Sequence, residues 1–245
     1  MNLEFIDEHY DWNTLTLLQF LQQGHIPSEW QDFFNRKDVH KDLEEISESL
    51  QKRAQTGLII YPSPNLVFRA FGTPLEQIRV VIVGQDVYFN GNAVGLCFSV
   101  PPTTVYSRIN PSLKNIYIEL EQEGYKPNKN GSLVHWANQG CFMINTALTV
   151  EKGSPESHLG IWYNFSEKVI AEVSKETKNV AWLLMGAKAL EFAPLVDVNK
   201  GHKVFVSSHP SPLSAYKGFR GYPAFIGSNI FKNVNHFLGD RKIKW

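Results

Sequence analysis

Four short apolar runs punctuate the chain: residues 79–84 (RVVIVG), 141–146 (CFMINT), 179–186 (NVAWLLMG) and 202–208 (HKVFVSS). Their apolar character is continuous rather than alternating. This predicts strands buried on both faces, as in a parallel sheet covered by helices. Helical spacing fills the intervals. Leu15, Leu18 and Leu21 sit three apart, and Leu43, Ile46, Leu50 and Ala54 form a stripe up to Gly57, so the first 57 residues read as helices. Asn110 and Pro111 make a cap and first-turn pair for a helix over 111–123. That helix carries Leu113, Ile116, Tyr117 and Leu120 on one face and ends at Gly124. Residues 162–175 space Phe165, Val169 and Val173 helically, and residues 228–238 carry Ile230, Val234, Phe237 and Leu238. Strands alternating with helices predict one α/β domain over 1–245. Its central sheet is four-stranded and mainly parallel, flanked by helices, with 1–57 packed on it.

In open α/β sheets, ligands bind beyond the carboxyl ends of the strands. Just past the four runs lie Gly84-Gln85-Asp86, Asn145, Gly186-Ala187 and Ser208-His209-Pro210-Ser211-Pro212. One carboxylate, one amide and one imidazole are thus expected on one edge. Singly, each is an ordinary turn or loop residue; their equivalent placement makes them candidates. The phosphate loop GxxxxGK[ST], GxGxxG, the GxSxG elbow, HExxH and the zinc-deaminase pattern HxE…PCxxC do not occur.

Composition adds limits. With 43% hydrophobic and 20% charged residues the chain is neither disordered nor a coiled coil. At 245 residues it is long enough to bury about 70–75% of its unfolded surface, so no disulfide or metal staple is required. The longest apolar runs, such as VAWLLMGA at 180–187, fall far short of the roughly 18 residues of a membrane span. The acidic start MNLEFIDEHYDW has no apolar core of a secretory signal. Cys97 and Cys141 read as reduced core residues, and the expected setting is the cytoplasm. Zero net charge conceals an asymmetry. Residues 1–60 hold eleven acidic against five basic residues, net −6, whereas residues 200–245 hold eight basic residues against Asp240, net +7. The basic end is either a solvated face or a surface for a polyanion.

Several segments together resemble the family 1 uracil-DNA glycosylases: GQDVYF and GLCFSV within 84–100, PSLKNIYIEL (111–120), GSLVHWANQGCFMINTALTV (131–150), WLLMGAKA (182–189) and HPSPLSAYKGFRG (209–221). The resemblance spans residues 58–238 in order, and implies an α/β fold with four central strands and a monofunctional N-glycosyl hydrolase of base excision repair. It implies that Asp86 is the carboxylate that steadies an oxocarbenium-like sugar and orients water. His209 would be the neutral donor to uracil O2, and Asn145 the amide reading O4 and N3–H. Phe98 would be the ring under uracil, Tyr88 the ring excluding a 5-methyl group, and Gln85 a backbone contributor beside the base. Ser112, Ser211 and Ser214 would meet DNA, with Leu213 at the tip that enters the base stack. The implied partners are uracil-containing DNA, single- or double-stranded, and an acidic DNA-mimicking protein inhibitor. The implied protein is a monomer with no metal, cofactor or membrane.

The chain departs from the family at its first motif. GQDPYHGPxQAHG becomes GQDVYFNGNAVG, one residue shorter, with Val87 for a proline and Phe89 and Val94 for two histidines. The Pro-rich loop before PSL is Tyr106-Ser107-Arg108-Ile109-Asn110, and Ala187 stands where a phosphate-contacting serine is common. Fewer groups are left to meet phosphate, so more of that load is expected on the three serines and the basic tail. A second reading is a catalytically impaired, DNA-binding relative acting as a replication or repair accessory protein. A third is an enzyme of free pyrimidine nucleosides. Retention of Asp86, Asn145 and His209 together speaks against the second, and the wedge-like loop 209–214 against the third.

Overall fold

The computed structural model describes residues 11–21 and 26–245. The readings of residues 1–10, including the absence of a secretory signal, and of 22–25 lie outside the described residues. The helices are α1 (Leu17–Leu21), α2 (Gln31–Phe34), α3 (Lys37–Gln55), α4 (Pro111–Gln122), α5 (Val134–Ala137), α6 (Leu159–Glu176), α7 (Ala187–Leu190) and α8 (Ile230–Leu238). The strands are β1 (Ile60–Tyr61), β2 (Val80–Asp86), β3 (Cys141–Ala147), β4 (Val150–Glu151), β5 (Ala181–Met185) and β6 (Lys203–Ser207).

The central sheet runs β3-β2-β5-β6, every pair parallel, with Val80 opposite both Cys141 and Ala181. β3, β5 and the first five residues of β2 are buried along their length. β6 departs from the expected burial on both faces. It is an edge strand, exposed at Lys203 and half-buried through its middle. The β1–β4 pair was not expected, because two-residue strands are too short to show any periodicity.

The N-terminal helices pack on the sheet through aromatic rings. Trp30 is fully buried, stacks on Phe142 of β3 at 5.3 Å and meets Phe71 edge-on at 4.9 Å. Its indole N–H donates to the Thr73 carbonyl at 2.9 Å. Each such ring removed from water contributes about 2–3 kcal/mol. α3 docks on α6, where Lys168 meets Asp42 at 2.6 Å and Arg36 meets Glu172 at 2.9 Å.

Helix ends show where local rules hold. α4 starts at Pro111 and stops before Gly124, whose φ of 89° admits the left-handed turn that ends the helix. Asn110 does not cap α4 with its side chain. Its Oδ1 instead accepts from Asn92 Nδ2 at 2.8 Å, tying the shortened loop to the helix. α8 starts at Ile230, two residues later than expected, because Asn229 is left-handed at φ 53°. Two carboxylates, Glu119 of α4 and Glu123 just past its end, then serve the amides before and within its first turn: Glu119 accepts from Gly227 N–H at 2.6 Å and Asn229 N–H at 2.9 Å, and Glu123 accepts from Phe231 N–H at 3.1 Å and from Lys232 N–H. Burial pushes Glu123 up to about 7.

The tail corrects an expectation. Arg241 donates to the Asn179 carbonyl at 2.7 Å and Lys244 N–H to Gln139 Oε1 at 2.8 Å. Asn179 and Gln139 precede β5 and β3, so the tail lies at the amino edge of the sheet, opposite Asp86 and His209. Residues 241–245 are therefore not placed to share the phosphate contacts there. Of the basic residues in 200–245, Lys217 and Arg220 follow His209 on its own loop.

Candidate active site

Parallel strands carry their chemistry to one edge, and here the edge is cut by a cleft of about 560 Å³. All ten candidate residues line it: Gln85, Asp86, Tyr88, Phe98, Ser112, Asn145, His209, Ser211, Leu213 and Ser214. Pro155 and Glu156 line it too and were not singled out in the sequence. They sit on the loop after β4, whose position depends on the unanticipated β1–β4 pair. Their one signal was their place five and six residues after NTALTV.

Glycines make room for the two polar side chains. A Cβ on Gly84 would lie 2.2 Å from Asn145 Oδ1 and 2.9 Å from Cys97 Cβ. The Asn145 amide therefore lies across the bare backbone of β2, buried but open to the cleft. Gly186, at φ 98°, would place a Cβ 2.9 Å from the His209 Cβ. Position 186 thus needs glycine twice over, for its backbone angle and for the imidazole packed on it.

His209 accepts the Ser211 N–H through Nδ1 at 3.0 Å. An accepting Nδ1 carries no proton, so the neutral ring carries it on Nε2. Burial lowers the His209 pKa to about 4, which keeps the ring neutral at ordinary pH. The loop around it is stiff. Asn115 donates to the Pro210 carbonyl at 2.7 Å, Ser214 Oγ to the His209 carbonyl at 2.8 Å, and Ser208 Oγ to the Ser214 carbonyl at 2.9 Å. Leu213, at the tip, is 86% exposed.

Phe98 sits at φ 62°, a left-handed angle that costs a bulky residue about 1–2 kcal/mol, and its ring centroid lies 5.8 Å from that of His209. The Tyr88 hydroxyl donates to the Phe98 carbonyl at 3.2 Å, fixing one ring against the other. Burial raises the Tyr88 phenol, which stays neutral. Asp86 has its carboxyl pushed above the ordinary range, first by burial and also by the charge of Glu156. The Glu156 N–H, 2.7 Å from Oδ2, acts in the opposite direction. Gln85 accepts the Thr146 hydroxyl on its carbonyl at 2.6 Å and donates its side-chain N–H to Glu156 Oε1 at 2.6 Å.

The altered loop is firm without its proline. Val87 packs with Ala93, Val150 and Tyr61 in a small apolar cluster apart from the main core. Arg69 donates to the Val94 carbonyl at 3.2 Å. Val94 is buried, whereas Phe89 is exposed at the cleft mouth.

Residues 71–237 match the family model of the Uracil DNA glycosylase superfamily. The chain belongs to that superfamily. A uracil-DNA glycosylase of Psychromonas ingrahamii is 41% identical over 218 residues, covering 87% of this chain and 96% of its own. Among solved structures, mimivirus uracil-DNA glycosylase superposes with a TM-score of 0.84 at 27% identity, covering 100% of this chain and 98% of its own. A mimivirus UNG variant in complex with UGI gives a TM-score of 0.83 at 28% identity, over 98% and 96% of the two chains. The likeness to glycosylases runs well beyond the quoted motifs, into the N-terminal helices and the tail. As in the resemblance read from sequence, the fold is a four-stranded parallel sheet flanked by helices. Among the described residues, no helix is long and apolar enough to cross a membrane.

Proposed function

We propose that this chain, a uracil-DNA glycosylase, hydrolyses the N-glycosidic bond of deoxyuridine in the cleft at the carboxyl edge of its sheet. The target base is unreachable inside a duplex, so the nucleotide is extruded into the cleft. Uracil lies on Phe98, with Tyr88 closing the space a 5-methyl group would need. Asn145 offers a donor to O4 and an acceptor to N3–H, a pattern that cytosine reverses. As the C1′–N1 bond breaks, its electron pair goes to the uracil ring, and His209 donates from Nε2–H to the developing charge on O2. Such a preorganised donor supplies about 3 kcal/mol of transition-state stabilisation. Asp86 stabilises the cationic sugar, orients the water that bonds to C1′ and takes up its proton.

The observation that carries this reading is the convergence of Asp86, Asn145 and a neutral His209 on one cleft. A binding-only protein needs no such set. The roles call on side chains of this chain and on no cofactor. We also propose action as a monomer on either strandedness of DNA, in a cytoplasm where the buried thiols Cys97 and Cys141 stay reduced. An acidic, DNA-mimicking inhibitor would meet the same mouth at Ser211, Leu213 and Ser214. The test is uracil release from a single-stranded deoxyuridine oligonucleotide in EDTA. Wild-type protein releases uracil; Asp86→Asn still binds the oligonucleotide but turns over at least about a hundredfold more slowly. No release by the wild type, or near-normal turnover by the variant, would overturn the reading.

A further inference from the structure

The loop after β4 braces the motif loop at three points. Gly153 N–H donates to the Phe89 carbonyl at 3.1 Å, Glu156 N–H to Asp86 Oδ2 at 2.7 Å, and the Glu156 carboxylate accepts from Gln85 Nε2 at 2.6 Å. Glu156 does this from a left-handed backbone, φ 65°, which a residue other than glycine holds only when its surroundings demand it. The loop is itself anchored, by Lys152 N–H on the Ile59 carbonyl at 2.8 Å and Glu151 N–H on Ser157 Oγ at 2.9 Å.

We propose that Glu156 is a positioning residue for the hydrolysis. Its carboxylate, tied to Gln85, sets the loop so that its N–H occupies one oxygen of Asp86 and leaves the other for water. The inference rests on the reading of Asp86 given above.

The surroundings leave Glu156 little competition. Of the titratable side chains lining the cleft, Asp86 and Tyr88 belong to the motif loop, His209 to the loop after β6 and Glu156 to the loop after β4. No lysine or arginine is among the described lining residues. Tyr88 and His209 are neutral across the working range. Behind the loop, at β4, Glu151 pairs with Arg53 and lies 3.6 Å from the buried His158. Burial is the main cause of the raised Asp86 carboxyl, and the charge of Glu156 adds to it.

The sign of the test follows. Asp86 must be ionised to act, so its pKa sets the acid limb of kcat/KM. Glu156→Gln keeps an acceptor for Gln85 but removes the charge, so kcat stays within about threefold while the acid limb moves down by about half a pH unit. Glu156→Ala also loses the tether, and kcat falls about tenfold with KM within about twofold. Both are measured on a single-stranded deoxyuridine oligonucleotide, beside Asp86→Asn. An acid limb unmoved in Glu156→Gln, or a loss in Glu156→Ala carried by KM alone, overturns the proposal while Asp86→Asn remains inactive. Near-normal turnover in Asp86→Asn instead removes the reading on which it rests.

Discussion

Asn145 reads a base only if nothing crowds it, and Gly84 is what keeps its place clear. Gly84→Ala would push a methyl group into the Asn145 amide on β3 and the fully buried Cys97 side chain, neither of which has room to retreat. Uracil release should fall by two orders of magnitude or more, with stability lowered by about 1–3 kcal/mol in urea titrations. Normal turnover would show that the Asn145 amide is not needed where it stands. Asn145→Asp probes the other half of the reading. A carboxyl or carboxylate can meet the exocyclic amine of cytosine, so cytosine release should become measurable. Strict uracil specificity in that variant would contradict the assigned pocket. At this scale the sequence was legible wherever a residue sits at or near the carboxyl end of a strand. Asp86 ends β2, Asn145 lies near the end of β3 and His209 comes two residues after β6, so parallel pairing brings them to one edge. Glu156 was not legible, because its loop is aimed by a two-residue sheet and by contacts to residues about seventy positions earlier.

The loop from Ser208 to Ala215 behaves as one element although it has no regular secondary structure. Its serines satisfy one another and the backbone, its prolines fix φ, and Asn115 clamps it from α4. Such a loop can present Leu213 outward at little further entropic cost. Inserting an apolar side chain into a base step offsets part of the few kcal/mol needed to unstack and unpair a nucleotide. Leu213→Ala should therefore slow release from duplex DNA at least tenfold more than from single strands, with the urea midpoint unchanged. Equal losses on both substrates would remove the wedge. Element boundaries tell the complementary story. α4 was readable from Asn110-Pro111 to Gly124, since proline and glycine act locally. The start of α8 was not, because its capping carboxylates, Glu119 and Glu123, come from more than a hundred residues earlier.

Across the whole molecule, charge and site are arranged with unusual separation. Residues 241–245 hold three of the basic residues counted in the tail, and hydrogen bonds fix that segment at the amino edge of the sheet. The cleft edge presents serine hydroxyls and the cations Lys217 and Arg220 on its loop. Hydroxyl contacts position phosphate without releasing counterions. The logarithmic dependence of affinity on salt should therefore be shallow, with a slope smaller in magnitude than about 5, as fewer than six neutralised phosphates imply. Replacing Lys242 and Lys244 by serine should leave DNA affinity within about twofold. A steep slope, or a tenfold loss in that double variant, would return the tail to the DNA interface. The charge asymmetry was plain in the sequence, but the edge it occupies depends on where the last strand and helix leave the chain.

Val87 carries one more consequence. A proline in its place would stiffen the motif loop through its own ring, whatever the temperature. Val87 does so by packing with Ala93, Val150 and Tyr61, a small cluster separate from the main core. Small, separate clusters open at lower free energy than the fold that bears them. On warming, the loop should loosen first: uracil release should fade roughly 5 °C below the melting transition seen by circular dichroism, and return fully on cooling. Heat would then act on this enzyme as a reversible off-switch. Coincident loss of activity and ellipticity would show instead that the loop melts with the sheet.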